Sequence, residues 1–81
     1  MARAGVLHGI PKDQATAIVA ETVRASAEMI LQSGENPWSL VDKVSSPGGT
    51  TVAGVVSLEQ NHFIATVIDA ISATIEKEKN L

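Results

Sequence analysis

The hydrophobic and polar positions of this chain repeat with the period of an α-helix over most of its length. In residues 11–33, apolar or small side chains recur at spacings of three and four, and charged residues occupy the opposite face. The pattern predicts one long helix over 11–33, which starts after Ile10-Pro11 and is stopped by Gly34. The positions on its apolar face are Ala15, Ile18, Val19, Thr22, Val23, Ser26, Met29, Ile30 and Ser33.

Three shorter helices are predicted in the second half of the chain. Asn36 followed by Pro37 is typical of a helix start and predicts a short helix over 37–44. A helix over 50–60 and a helix over 62–79 follow, the last with Asn61 as its expected cap. The positions expected to face a core or an interface are Leu40, Val41, Val44, Val52, Val55, Val56, Ile64, Val67, Ile68, Ile71, Thr74 and Ile75.

Residues 1–9 have no capping signal and no start of a periodic pattern, and Gly9 closes them as a residue after a helix end does. We therefore expect them to be the tail of a helix whose body is missing. No segment alternates with period two, so no strand is predicted. The fold class is all-α, a small bundle of about four helices in one domain over 1–81.

Composition indicates that this domain does not act alone. The chain has 81 residues, 44% hydrophobic, with no cysteine and two aromatic side chains, Trp38 and Phe63. A domain of this size buries only about 60–65% of its unfolded surface, and no disulfide is available to stabilise it. We therefore expect association with another chain or domain, through the close helix packing that Ala, Val, Ile and Leu allow.

Charge narrows the choice of partners. The net charge is −3, and a nucleic-acid surface needs a basic stripe that the six scattered Lys and Arg residues do not form. No apolar run approaches a membrane span, and no signal peptide is visible, so a cytoplasmic location is expected. His8 and His62 lie far apart in sequence, and no metal site is predicted.

The candidate chemistry lies in residues 45–51, Ser-Ser-Pro-Gly-Gly-Thr-Thr, directly before an apolar-periodic helix. A helix start leaves backbone N–H groups without partners at the positive end of the helix dipole, which suits an anion. A tight turn between two helices is the plainer interpretation of the same residues. Neither a Rossmann glycine motif nor a P-loop is present, because no strand precedes the glycines and Val55 stands where a P-loop needs Lys.

These residues also carry a family pattern. Asp42-x-Val44-x-Ser46-Pro47-Gly48-Gly49-x-Thr51 resembles the signature of pyrroline-5-carboxylate reductases. Upstream, Ala4-Gly5-Val6-x-x-Gly9-Ile10-Pro11 and the Gly34-x-x-Pro37 break are similar to the same family's carboxy-terminal domain. The resemblance covers nearly the whole chain. It implies a helical dimerisation domain of the 6-phosphogluconate-dehydrogenase-like type, without the amino-terminal Rossmann domain.

The resemblance implies reduction of 1-pyrroline-5-carboxylate to L-proline with NADPH or NADH, which the missing Rossmann domain would mainly bind. It also implies a homodimer or larger homo-oligomer, and a fragment that is inactive by itself. Thr51 is the expected catalytic donor to the substrate nitrogen; a threonine that caps its own helix is the alternative. Substrate-binding residues are expected in the loop 45–51, and a non-catalytic dimerisation module is the alternative function. The expected substrate-binding residues are Ser46, Gly48, Gly49, Thr50 and Thr51.

Overall fold

A computed structural model describes residues 1–80, and within them the chain forms five helices and no strand. The all-helical class that the sequence predicts is confirmed. The chain divides into two compact units, Met1–Leu40 and Val41–Leu81. No helix within residues 1–80 is long and apolar enough to cross a membrane. The helices are α1 (Ala2–Leu7), α2 (Lys12–Ser33), α3 (Pro37–Lys43), α4 (Thr50–Gln60) and α5 (Phe63–Lys79).

The first unit is built on the contact between α1 and α2. Gly9 takes a left-handed φ of 99°, and the Ile10 N–H donates to the Gly5 carbonyl at 2.9 Å, so the chain turns back on α1. A Cβ on Gly5 would lie 3.3 Å from Cβ of Ala15, and Ala15 is 1% exposed. Glycine at position 5 therefore lets the two helices approach closely around the one residue of 1–80 that is fully buried.

The long helix α2 begins one residue later than the periodicity suggests. Pro11 is its N-cap, with an extended ψ of 144°, and lies before the first helical turn rather than inside it. The helix ends where Gly34 adopts a left-handed φ of 65°. The Thr22 hydroxyl donates to the Ile18 carbonyl at 2.8 Å, which satisfies a polar group on an otherwise apolar face.

Asn36 starts α3 as the sequence predicts. Its Oδ1 accepts a hydrogen bond from the Trp38 N–H at 2.8 Å, the contact of an N-cap side chain. The helix ends at Lys43, so Val44 lies beyond it. Val44 is 62% exposed, and its expected place facing a core is wrong, whereas Leu40 and Val41 are half-buried.

In the second unit, α4 and α5 form a helical hairpin. The cap predicted for α5 is wrong: His62, not Asn61, is the N-cap, with a left-handed φ of 61° and no side-chain hydrogen bond. Asn61 instead closes α4, because its Nδ2 donates to the Ser57 carbonyl at 2.8 Å. Asn61 serves the end of one helix because its side chain reaches back along α4 rather than forward along α5.

The apolar faces that the periodicity predicts are present, and large parts of them are exposed. On α5, Ile68 and Ile71 are each 56% exposed, and Ile64, the most covered of the stripe, is 36% exposed. On α2, Ile18 and Val23 are each 53% exposed. α1 covers α2 at Ala15, but the exposed positions of these two faces lack a covering surface within residues 1–80.

Candidate functional site

The segment 45–51 forms a tight turn that leads directly into α4. The Gly49 N–H donates to the Ser46 carbonyl at 3.0 Å, with Pro47 and Gly48 at the two central positions. Gly48 has a φ of 71°, so the pair carries the signature of a type II turn, which needs a positive φ at its second central residue. Proline and glycine stand where this turn requires them.

The turn leaves the start of α4 open. Gly49 is the N-cap, with an extended backbone, and no side chain caps the helix. The first backbone bond into α4 is Ala53 N–H to the Gly49 carbonyl at 3.4 Å. The N–H groups of Thr50, Thr51 and Val52 consequently have no acceptor among residues 1–80.

One expected donor is removed by this geometry. The sequence predicts Gly48, Gly49, Thr50 and Thr51 among the substrate-binding residues, but the Gly49 amide is used inside the turn. The Gly48 amide has no acceptor within the described part of the chain. Val52 is not among the predicted residues, although it is the third helical residue after the N-cap and its N–H is also unpaired.

A side chain at Gly49 would displace the Ser46 hydroxyl. A Cβ built on it would lie 2.5 Å from the Ser46 Oγ and 3.2 Å from the Ser46 carbonyl oxygen. The Ser46 hydroxyl therefore lies over the helix start and occupies the space that the side chain of a non-glycine N-cap residue would fill. Because glycine is the N-cap, no Ser, Thr or Asp side chain at that position closes the amides from within.

The expected residues of the site lie together because they are consecutive in the chain. Ser46, Thr50 and Thr51 are exposed, and Gly49 is half-buried. Neither threonine hydroxyl makes a capping bond to α4, so the alternative in which Thr51 caps its own helix is not what the structure has. Both hydroxyls are exposed and available to form a hydrogen bond with a ligand.

The electrostatics of this helix start rest on the backbone. No acidic residue lies in the first turn of α4, whereas Asp13 lies in the first turn of α2. No Lys or Arg lies within residues 45–52 either. An anion here would be held by N–H groups and by the helix dipole, whose interaction with one charge is about 0.3–1 kcal/mol at an exposed site.

The rest of the described chain offers no competing reactive centre. No group of three or more His, Cys, Asp or Glu side chains within residues 1–80 is placed to hold a metal ion. A cavity of about 290 Å³ lies between α1 and α2, lined by Ala2, Arg3, Val6, Lys12 and Thr16, and does not involve the 45–51 segment.

Within residues 1–80, fold and helix start together define a small all-helical domain in which α4 starts directly after a Pro-Gly turn, with no side-chain cap and no acidic residue in its first turn. The model of the family described as pyrroline-5-carboxylate reductase dimerisation matches residues 1–81. The chain therefore belongs to the pyrroline-5-carboxylate reductase dimerisation family.

Individual relatives agree with this assignment. Pyrroline-5-carboxylate reductase of Escherichia coli is 47% identical over all 81 residues, which are 30% of that protein, and the Arabidopsis thaliana enzyme is 40% identical over 29% of its length. The crystal structure of 1-pyrroline-5-carboxylate reductase from Streptococcus pyogenes matches 99% of this chain with a TM-score of 0.95 and 49% identity, over 31% of that protein. The Plasmodium falciparum pyrroline carboxylate reductase structure, with NADP bound, matches 94% with a TM-score of 0.89 and 38% identity, over 29% of its length. This chain thus spans about 30% of the relatives it matches.

Proposed function

We propose that this chain is the carboxy-terminal dimerisation and substrate-binding domain of a pyrroline-5-carboxylate reductase. Such an enzyme reduces the C=N bond of 1-pyrroline-5-carboxylate and yields L-proline, in proline biosynthesis. The observation that carries the proposal is the open start of α4, which lies within a chain whose relatives are named for this reaction. Residues 45–51 are the proposed substrate loop.

The substrate carboxylate is the proposed ligand of the unpaired amides. The N–H groups of Thr50, Thr51 and Val52 lie in the first turn of one helix, at the positive end of its dipole. A carboxylate accepts several such bonds at once, and each bond to a charged group contributes about 1.5–3 kcal/mol. The Ser46 hydroxyl, which stands over Gly49, is the proposed side-chain partner of the same carboxylate.

Thr51 is the proposed partner of the substrate's ring nitrogen. Its hydroxyl is exposed and is not used in capping, and a hydroxyl both donates and accepts hydrogen bonds. In the imine, the hydroxyl can donate to the ring nitrogen or hold the water that protonates it. Thr50, the neighbouring hydroxyl, is the weaker candidate because the family pattern varies at that position.

The reaction also needs a hydride, which NADPH or NADH supplies when bound. Residues 1–80 contain helices only, and a dinucleotide site of the Rossmann type needs a strand, a glycine turn and a helix. The described residues therefore do not fit that site, and we place the cofactor mainly in another part of the enzyme. This chain's own contribution is to bind and orient the substrate.

A homodimer, or a larger homo-oligomer, is the proposed assembly. The family model that matches this chain is described as a dimerisation domain, and Ile68 and Ile71 on α5 are each 56% exposed. The exposed apolar stripe of α5 is the surface that we expect a second copy to cover. A cytoplasmic location stays a prediction of the sequence.

The alternative, a non-catalytic dimerisation module, also expects this assembly, so ligand binding separates the two. In the full-length protein, purified material should reduce 1-pyrroline-5-carboxylate with NADPH, and the 81-residue chain alone should not. Proline analogues should perturb the backbone NMR signals of residues 46–52 in the isolated chain. Unchanged signals there, with no turnover by the full-length protein, would favour the plain module.

A further inference from the structure

Ser45 ties the proposed substrate loop to the end of α3. Its hydroxyl donates to the Val41 carbonyl at 2.7 Å, and its N–H donates to the Asp42 carbonyl at 3.2 Å. Ser45 is half-buried, whereas the next three residues are exposed. A side-chain hydrogen bond and a backbone hydrogen bond thus hold the loop at Ser45, directly before its exposed residues 46–48.

Beyond Ser45, little else holds the loop. Only Ser46, Pro47 and Gly48 separate it from the N-cap Gly49, and the one backbone bond that closes the turn runs from Gly49 to Ser46. Pro47 fixes its own φ, but Gly48, at a φ of 71°, is the residue type with the most freedom to move. The orientation of the Ser46 carbonyl and hydroxyl therefore depends on the hydrogen bonds that hold Ser45.

We propose that Ser45 is a positioning residue for the substrate carboxylate, because its side-chain bond to Val41 orients the turn that presents the α4 amides. Ser45 itself does not touch the substrate. The inference rests on the proposed function, and it extends that function to a residue outside the predicted substrate-binding set. The open amides need this support because a carboxylate bound by several donors requires all of them to point the same way.

The chain itself indicates which substitution preserves the bond. Thr22 and Thr74 make the same contact, from a hydroxyl to the carbonyl four residues earlier, at 2.8 and 2.9 Å. Ser45→Thr should therefore keep the bond to Val41. Valine has nearly the same shape as threonine but lacks the hydroxyl. Comparison of Ser45→Val with Ser45→Thr therefore isolates the effect of the hydrogen bond.

The test uses the full-length enzyme, with steady-state kinetics against 1-pyrroline-5-carboxylate and against NADPH. Ser45→Val should raise KM for the pyrroline substrate about three- to tenfold, the range of one net hydrogen bond, with kcat and the KM for NADPH unchanged. Ser45→Thr should stay within about twofold of the natural enzyme. Thr22→Val, which removes the same kind of bond in α2, is the matched control and should leave all three constants unchanged.

A second readout does not depend on turnover. Hydrogen exchange of the peptide covering residues 44–52, followed by mass spectrometry in the full-length enzyme, should be faster in Ser45→Val and in Ser45→Ala than in Ser45→Thr. Ser45→Ala adds no volume and serves if the valine variant does not fold. Natural kinetics in both hydroxyl-free variants, or equal impairment of Ser45→Thr and Ser45→Val, would overturn the positioning role. A natural enzyme without reductase activity would instead overturn the proposed function.

Discussion

The two helices of the second unit differ in which part is available for binding. In α4 it is the first turn, where three amides after Gly49 are unpaired. In α5 it is an exposed apolar face along the helix. The N-cap of α5, His62, has a left-handed conformation that glycine adopts more easily. The start of α4 is shaped by hydrogen bonds between residues three or four apart in sequence, whereas most of the apolar face of α5 is exposed within residues 1–80.

This difference has a physical reason. Backbone amides are positioned by local dihedral angles and by short-range hydrogen bonds, so a turn of four residues is enough to aim them. An apolar face gains free energy only when another surface removes it from water, and that surface can come from any chain. We therefore expect the geometry of the α4 start to persist when assembly is disrupted. Assembly itself should be sensitive to substitutions on the α5 face.

The largest expected effect is on assembly. Ile71→Glu should weaken association more than a hundredfold, because a carboxylate would be buried without a partner at a cost of several kcal/mol. Sedimentation analysis of the 81-residue chain measures this. Asp69→Lys, a charge reversal outside the apolar stripe of α5, is the control and should leave the assembly intact. A stable Ile71→Glu dimer would mean that α5 is not the interface.

Closing the start of α4 should have the next largest effect. Gly49→Asp places a carboxylate where it can cap the free amides and repel the substrate, so kcat/KM of the full-length enzyme should fall about a hundredfold or more. Gly49→Ala supplies the steric control, since its Cβ meets the Ser46 hydroxyl without capping anything. The account of the amides fails if the aspartate variant is no worse than the alanine variant.

Removing the Thr51 hydroxyl should have a smaller effect. Thr51→Val should lower kcat/KM of the full-length enzyme about 10- to 100-fold, the loss of one hydrogen bond of about 1.5–3 kcal/mol. Thr50→Val is the matched neighbour and should cost less. Kinetics of Thr51→Val that equal those of the natural enzyme would remove Thr51 from the mechanism.

The smallest expected effect is a gain in stability at the start of α5. His62→Gly should raise the free energy of unfolding by about 0.5–1 kcal/mol, because a left-handed conformation costs a side-chain-bearing residue more than it costs glycine. Thermal denaturation of the full-length enzyme measures the change. Asn61→Gly, at a φ of −99°, should do the opposite, since it loses the bond to Ser57 and gains chain entropy on unfolding. Equal effects at both positions would show that backbone strain at His62 is not the cause.

The all-helical class, the family and the contiguous turn before α4 could all be predicted from the sequence, because periodicity and Pro-Gly turn chemistry are local properties. The capping role of Asn36 followed in the same way. The sequence did not reveal that the Gly49 amide is used in the turn, that the Val52 amide is unpaired within residues 1–80, or that Asn61 caps α4 instead of α5.

The folded backbone settles these points, since each depends on which of several nearby acceptors a donor reaches. It likewise decided that Val44 is exposed while Leu40 and Val41 are half-buried. A residue's apolar character indicates that burial is favourable, but burial itself depends on a surface placed against it. For the same reason, the sequence predicted the apolar faces of α2 and α5, and the structure alone revealed that both are largely exposed within residues 1–80.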